Sequence, residues 1–134
     1  MGLGIIIAII IAGLSGGCAK TQSSTETPSS NAYKNVTPKE LKPMLDDKGL
    51  FLVDVHIPEQ KHIVGTDLVV PYNEIERNID KFPSDKSTKI ALYCRSGGMS
   101  VEAARKLIEL GYENVFNLAG GAGAWTAAGY PVEQ

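Results

Sequence analysis

Ile90-Ala91-Leu92-Tyr93-Cys94-Arg95-Ser96-Gly97-Gly98-Met99-Ser100 is the stretch that fixes the fold. An apolar run of strand type ends at Tyr93. A helical pattern then opens near Ser100, with Ala104, Leu107 and Ile108 on its buried face and Gly111 at its end. The cysteine therefore stands at a strand-to-helix junction, where backbone N–H groups converge and the positive end of the helix dipole favours thiolate over thiol. Gly97 and Gly98 let the backbone fold tightly over the sulfur, and Arg95 adds positive charge beside it. A free cysteine is more often a small buried hydrophobe. The neighbours of this one point instead to a nucleophile.

On either side the same alternation of elements continues. Thr37-Pro38-Lys39-Glu40 is a capping box with proline at the first helical position, and Leu41, Met44 and Leu45 follow as a short apolar face. Phe51-Leu52-Val53-Asp54-Val55 reads as a buried strand, and Asp67 to Val70 as a second, closed by Pro71. Ile75, Ile79 and Phe82 recur at helical spacing until Pro83 stops them. Val115-Phe116-Asn117-Leu118 is the last strand, and the glycines at 120, 121 and 123 read as a turn, since the downstream acidic residue that dinucleotide binding wants is missing. Strands alternating with helices predict an α/β fold with a mostly parallel sheet covered by helices. Ligands in such folds gather at the carboxyl ends of strands, where Cys94 lies.

Composition sets the bounds. The chain has 134 residues, 43% hydrophobic and 21% charged, which suits one globular domain. A formal net charge of −2 without a basic run leaves no electrostatic footprint for nucleic acid, so none is expected as a partner. Of two cysteines, Cys18 lies outside the expected domain, so no internal disulfide is available to it. One cysteine with His56 and His62 offers no zinc-site spacing, and no metal is expected.

The N-terminal residues read differently. Leu3 to Leu14 is an almost unbroken apolar run, followed by Ser15, Gly16, Gly17 and Cys18, in the manner of a secretory signal peptide. Thr21 to Asn31 is a Ser/Thr-rich polar tract with too little apolar surface to offset ordering entropy, and reads as a tether. Leu14-Ser15-Gly16-Gly17-Cys18 resembles the lipobox of a prokaryotic lipoprotein, which implies cleavage before Cys18 and a lipid anchor on its thiol. Residues 1–17 then form the signal peptide, 18–33 the lipidated cysteine and tether, and 34–134 the domain. An uncleaved membrane anchor is the competing reading, although the apolar run is shorter than the about 20 residues that span a bilayer. In that reading Lys20 after the segment, with no basic residue before it, favours a cytoplasmic domain; one lysine weighs little, and the domain is expected to be membrane-anchored on the extracytoplasmic face of a prokaryotic envelope.

Four segments in order resemble the rhodanese-like domain family: Leu52 to Glu59, His62 to Thr66 before Pro71, the loop Cys94 to Ser100, and Gly120 to Pro131. They span nearly all of residues 35 to 133. The resemblance implies a mostly parallel central sheet with helices on both faces and an active-site loop between a strand and a helix N-terminus. It also implies a sulfurtransferase without a cofactor: the Cys94 thiolate takes a sulfane sulfur from a small donor such as thiosulfate or polysulfide. It holds that sulfur as a persulfide and passes it to a thiophilic acceptor, whether cyanide, a thiol or a protein thiol. Arg95, Ser96, Gly97, Gly98, Met99 and Ser100 would form the substrate-binding loop, with Asp54 supporting it and Ser100 bonded to the loop backbone or to Asp54.

Two positions depart from the commonest family pattern. Met99 stands where arginine is frequent and is expected to be packing filler; this leaves Arg95 as the only cation in the loop and thiosulfate preference open. His56 stands where arginine often follows Asp-Val, and a structural bond to Glu59 is expected of it; His62 also reads as structural. Tyr93, Trp125 and Tyr130 read as packing residues rather than a binding surface. Cysteine phosphatases and arsenate reductases use a related loop, C-x5-R. Here the sixth residue after Cys94 is Ser100, so the clamp for phosphoryl oxygens is missing. The alternative from another class is a non-catalytic rhodanese-fold module that binds a partner or carries sulfur at the membrane surface.

Overall fold

The computed structural model describes residues 32–134, so the expected signal segment, Cys18 and nearly all of the tether lie outside the described residues. Within them the order is β1 (Lys34–Val36), α1 (Pro38–Met44), β2 (Leu50–Asp54), β3 (His62–Ile63), β4 (Leu68–Val69), β5 (Lys89–Tyr93), α2 (Gly98–Glu109), β6 (Val115–Leu118), α3 (Gly121–Ala127) and β7 (Val132–Glu133). Five strands form one sheet in the order β1-β6-β5-β2-β4, with every pairing parallel. All their carboxyl ends therefore share one edge. β3 and β7 make a separate antiparallel ribbon, with His62 opposite Glu133 and Ile63 opposite Val132.

The side-chain period of two divides the core into two layers. Along β5, Ile90 and Leu92 point into one cluster with Cys94, while Ala91 and Tyr93 point into the other. Along β2, Val53 joins the first cluster and Leu52 the second. Ala103, Ala104 and Leu107 of α2 cover the first face; Leu41 of α1 and Trp125 of α3 cover the second. Helices thus lie on both faces, as the sequence pattern and the resemblance imply.

Local chemistry accounts for most boundaries. The Thr37 hydroxyl accepts from the Glu40 N–H at 3.3 Å, and the Thr37 N–H donates to Glu40 Oε2 at 2.7 Å, which completes the capping box of α1. α2 ends as expected: Gly111 takes φ +94° just beyond the Leu110 cap. Aromatic packing is also as expected, since the Trp125 and Tyr130 rings pack tilted with centroids 4.7 Å apart and the Trp125 Nε1–H donates to the Pro131 carbonyl at 3.0 Å.

Two expectations are corrected. Between Pro71 and Pro83 the chain forms two 3₁₀ segments, Tyr72–Glu74 and Glu76–Lys81, rather than one regular helix. Ile75 and Phe82 are still buried, as the spacing predicts, while the winding is tighter than that of an α-helix. The Asn78 side chain donates to the Glu74 carbonyl at 2.9 Å while its own backbone leaves helical geometry, the competition that short polar side chains offer a helix. The glycines at 121 and 123 belong to α3 itself, with Gly120 as its cap, and not to a simple turn.

Candidate functional site

The loop between β5 and α2 closes around one sulfur. Cys94 Sγ accepts from the Gly97 N–H at 3.0 Å and from the Ser100 hydroxyl at 3.5 Å. Gly97 is the cap of α2 at φ +108°, a conformation that turns its N–H back over the cysteine and that side chains resist. The Gly97 carbonyl stands 3.1 Å from the same hydroxyl, whose single proton serves either it or Sγ, so Ser100 ties the loop to the first turn of the helix. Burial pushes the Cys94 thiol up. The Ser100 hydroxyl and the N–H groups of Ser100, Gly97 and Ser96 outweigh it, and the thiol settles below its ordinary value.

The loop is held from below by residues that the sequence reading did not assign to the site. The Ala122 N–H donates to the Cys94 carbonyl at 2.8 Å and the Gly123 N–H to the Arg95 carbonyl at 2.9 Å, so the first turn of α3 fixes the loop backbone. Gly121 makes that approach possible. A Cβ there would collide with the Cys94 carbonyl oxygen and stand 2.7 Å from the Arg95 carbonyl carbon, and its φ is +58°. The available signal was Gly120-Gly121-Ala122-Gly123 directly after a strand, where close backbone approach is one of the uses of glycine.

Arg95, Ser96 and Gly98 are exposed, whereas Ser100 is fully buried. Met99 packs, half-buried, against the α2-side core, in keeping with its expected role as filler. Asp54, by contrast, does not support the Cys94 loop. Its carboxylate accepts from the His56 N–H at 3.0 Å and from Gln60 Nε2 at 3.3 Å, and pairs with His62 Nδ1 at 2.8 Å. The reason is the pleat: Asp54 sits opposite Tyr93 in the parallel register and shares the face of Leu52 and Tyr93, whereas Cys94 points to the other. Ser100, on that other side, bonds Cys94 and the loop backbone and not Asp54. Nor does His56 pair with Glu59; its Nδ1 is buried without a partner, and His62 Nε2 meets Glu59 instead, at 3.3 Å.

Asp54 thus organises the segment after β2, and Tyr93 anchors the ribbon beside it. The buried Tyr93 hydroxyl accepts from the Ile63 N–H at 2.9 Å and meets the Thr66 hydroxyl at 2.7 Å. A groove of about 450 Å³ opens next to this assembly, lined by Gln60, Lys61, Arg95, Gly123, Thr126 and Val132 among others. Through Arg95 the cysteine loop forms one of its walls.

His62 makes part of this framework pH-dependent. Burial disfavours its imidazolium, but hydrogen bonds to Asp54 and Glu59 and their charges outweigh that, and its pKa rises above the ordinary 6.5. The stabilisation is present in full below 6.5 and lost as pH climbs through the raised value. Denaturant unfolding should therefore show a gain in stability between about pH 8 and about pH 6 that His62→Gln lacks. Equal pH dependence in the two proteins would remove the ion pair from the account.

A model of the rhodanese-like domain family matches residues 37–128. A protein of Allochromatium vinosum named sulfurtransferase is 32% identical over 91 residues, covering 66% of this chain and 83% of its own length. The thiosulfate sulfurtransferase GlpE of Pseudoalteromonas translucida is 29% identical over 102 residues, covering 72% of this chain and 92% of its own length. The crystal structure of a rhodanese-related protein from Thermoplasma volcanium superposes with a TM-score of 0.64 at 25% identity, over 75% of this chain and 97% of that one. The family match covers both the cysteine loop and the α3 turn that clamps it, and the chain belongs to the rhodanese-like domain family.

Proposed function

We propose that the domain is a sulfurtransferase that carries a sulfane sulfur on Cys94. The observation that bears most weight is the pair of donors on one sulfur, the Gly97 N–H at 3.0 Å and the Ser100 hydroxyl at 3.5 Å. Preorganised donors favour the thiolate before reaction and receive the charge that returns to Sγ afterwards. Family membership and the names of the relatives support the same reading.

In the first half-reaction the Cys94 thiolate attacks the outer sulfur of the donor. With thiosulfate, a Cys94–sulfur bond forms, the sulfur–sulfur bond of the donor breaks, and sulfite leaves with the electron pair. With polysulfide the leaving group is a chain shorter by one sulfur. In the second, an acceptor thiolate or cyanide attacks the outer sulfur of the Cys94 persulfide, which carries a proton when the acceptor is a thiolate. The bond to Sγ breaks, and its electron pair returns to Sγ, where the Gly97 N–H and the Ser100 hydroxyl receive the charge. Met99 brings no charge to the loop, so a dianionic donor meets one loop cation, Arg95.

The lipobox-like Cys18 and the Ser/Thr-rich tract support a membrane-anchored setting for this chemistry on the outer face of a prokaryotic envelope. The activity itself is tested by incubating the full chain with thiosulfate or polysulfide and cyanide and measuring thiocyanate. Turnover above the uncatalysed rate is expected with at least one donor. Absence of turnover with both, and with thiol acceptors in place of cyanide, would favour the non-catalytic module.

A further inference from the structure

We propose that the donor which loads Cys94 is a sulfane-sulfur compound without a second anionic charge, an organic persulfide or thiosulfonate, and that Met99 and Glu102 set its preference over dianionic donors. The proposal rests on the sulfurtransferase reading of Cys94. The two bonds that hold Sγ come from Gly97 and Ser100, so Met99 lies within the arc they close. Its side chain packs against the core cluster that contains Cys94. The sulfur itself is covered, with Cys94 only 1% exposed. Beside it the chain opens at Gly98, which is exposed and has nothing beyond its own helix and neighbours within 4 Å of where a Cβ would stand. A donor that approaches Sγ over the first turn of α2 therefore passes Met99.

The charges around that opening do not suit a dianion. Against burial, the groups that most lower the Cys94 thiol are the Ser100 hydroxyl and the N–H groups of Ser100, Gly97 and Ser96, dipoles with no charged side chain among them. Arg95, the cation of the loop, lines the groove with Gln60, Lys61 and α3, on the opposite face of the sheet from Cys94. Cations on the α2 face are placed elsewhere. Arg77 pairs with Glu74 at 3.6 Å and Lys106 with Glu109 at 2.8 Å, while Arg105 lines a hollow with Ala32 and Tyr33, ahead of β1 at the amino edge of the sheet. Glu102 stands exposed one turn along α2 from Met99, a spacing at which helix side chains are neighbours. Among the described residues it has no ion-pair partner within 4.0 Å. The loop donors thus take the transferable sulfur, and the rest of the donor lies between a thioether and a carboxylate. A sulfonate there is repelled and loses water without a partner, whereas an alkyl group packs. With a persulfide, R–S–SH, the Cys94 thiolate attacks the outer sulfur, a bond from Sγ to it forms, the sulfur–sulfur bond of the donor breaks, and R–S⁻ leaves with the electron pair. The proton stays on the transferred sulfur. With a thiosulfonate, R–SO₂–S⁻, the sulfinate R–SO₂⁻ leaves in the same way and the transferred sulfur keeps its charge.

Methanethiosulfonate and thiosulfate test this directly, because they differ only by a methyl group in place of a charged oxygen and both deliver a terminal sulfur. Each is given to the full chain with cyanide as acceptor, and the ratio of their kcat/KM values is divided by the ratio of their uncatalysed rates with a small thiolate. The corrected ratio should favour methanethiosulfonate by about fivefold, the size expected of exposed charges. Met99→Arg should reverse it and Glu102→Gln should reduce it. Glu113→Gln, an equal charge change at the amino edge of the sheet, should leave it in place. Both donors react at the same sulfur, so a variant that merely loosens the loop lowers both rates and keeps the ratio. A corrected ratio at one or in favour of thiosulfate, or one that Met99→Arg does not move, would overturn the proposal and leave the sulfurtransferase reading standing. Mass analysis that finds no added sulfur on Cys94 from either donor removes that reading, and the proposal with it.

Discussion

Cys94→Ser is expected to lower sulfur-transfer turnover by at least about 10³-fold, because it removes the group on which both half-reactions occur. A serine hydroxyl stays protonated at neutral pH however many N–H groups surround it, and oxygen does not form the transferable sulfur–sulfur bond. The fold should survive: the new hydroxyl fits the space of the thiol and meets the same Gly97 N–H and Ser100 hydroxyl. Stability should shift by no more than about 1 kcal/mol. The expected result is thus a folded protein without turnover, measured by thiocyanate formation beside a urea titration. Residual turnover within tenfold of the original would place the chemistry on another group.

The second large effect concerns a residue with no reactive atom. Gly121→Ala is expected to destabilise the domain by about 2–5 kcal/mol, combining left-handed backbone strain with a collision against the carbonyls of Cys94 and Arg95. That is a large part of the about 5–15 kcal/mol that a domain commonly has. Turnover should fall as well, because the Ala122 and Gly123 N–H groups lose their hold on the loop. Gly129→Ala is the natural comparison: φ there is +84°, but nothing lies within 4 Å of its Cβ position, so only strain of about 1–2 kcal/mol is expected. Urea midpoints of the two variants give the difference directly. If they coincide, α3 does not clamp the loop.

That contrast shows where the sequence is legible. β5 and α2 are readable because each offers a long enough apolar pattern, and the thiolate environment of Cys94 follows from their junction. The capping box at Thr37 and the stop at Gly111 are local chemistry and appear where the residues say. The ribbon of β3 and β7 is not readable, since two residues per strand carry no period. Gly120-Gly121-Ala122-Gly123 has the local propensity of a turn, and only packing against the loop makes helix of it. Asp54 lies at the expected end of its strand, but its partners differ from the expected Cys94 loop. Its face, set by the pleat, directs it to His56, Gln60 and His62 and away from Cys94. The groove at Lys61 needs residues from four separate segments and leaves no mark in any one of them.

If Cys94 itself holds the transferred sulfur, intact-mass analysis with peptide mapping sees it there. After exposure to a sulfane-sulfur donor and removal of excess, the Cys94 peptide should gain one sulfur atom, lost when an acceptor thiol is added and absent in Cys94→Ser. No added sulfur from either thiosulfate or polysulfide, or a sulfur on Cys94 that acceptors cannot remove, would contradict it.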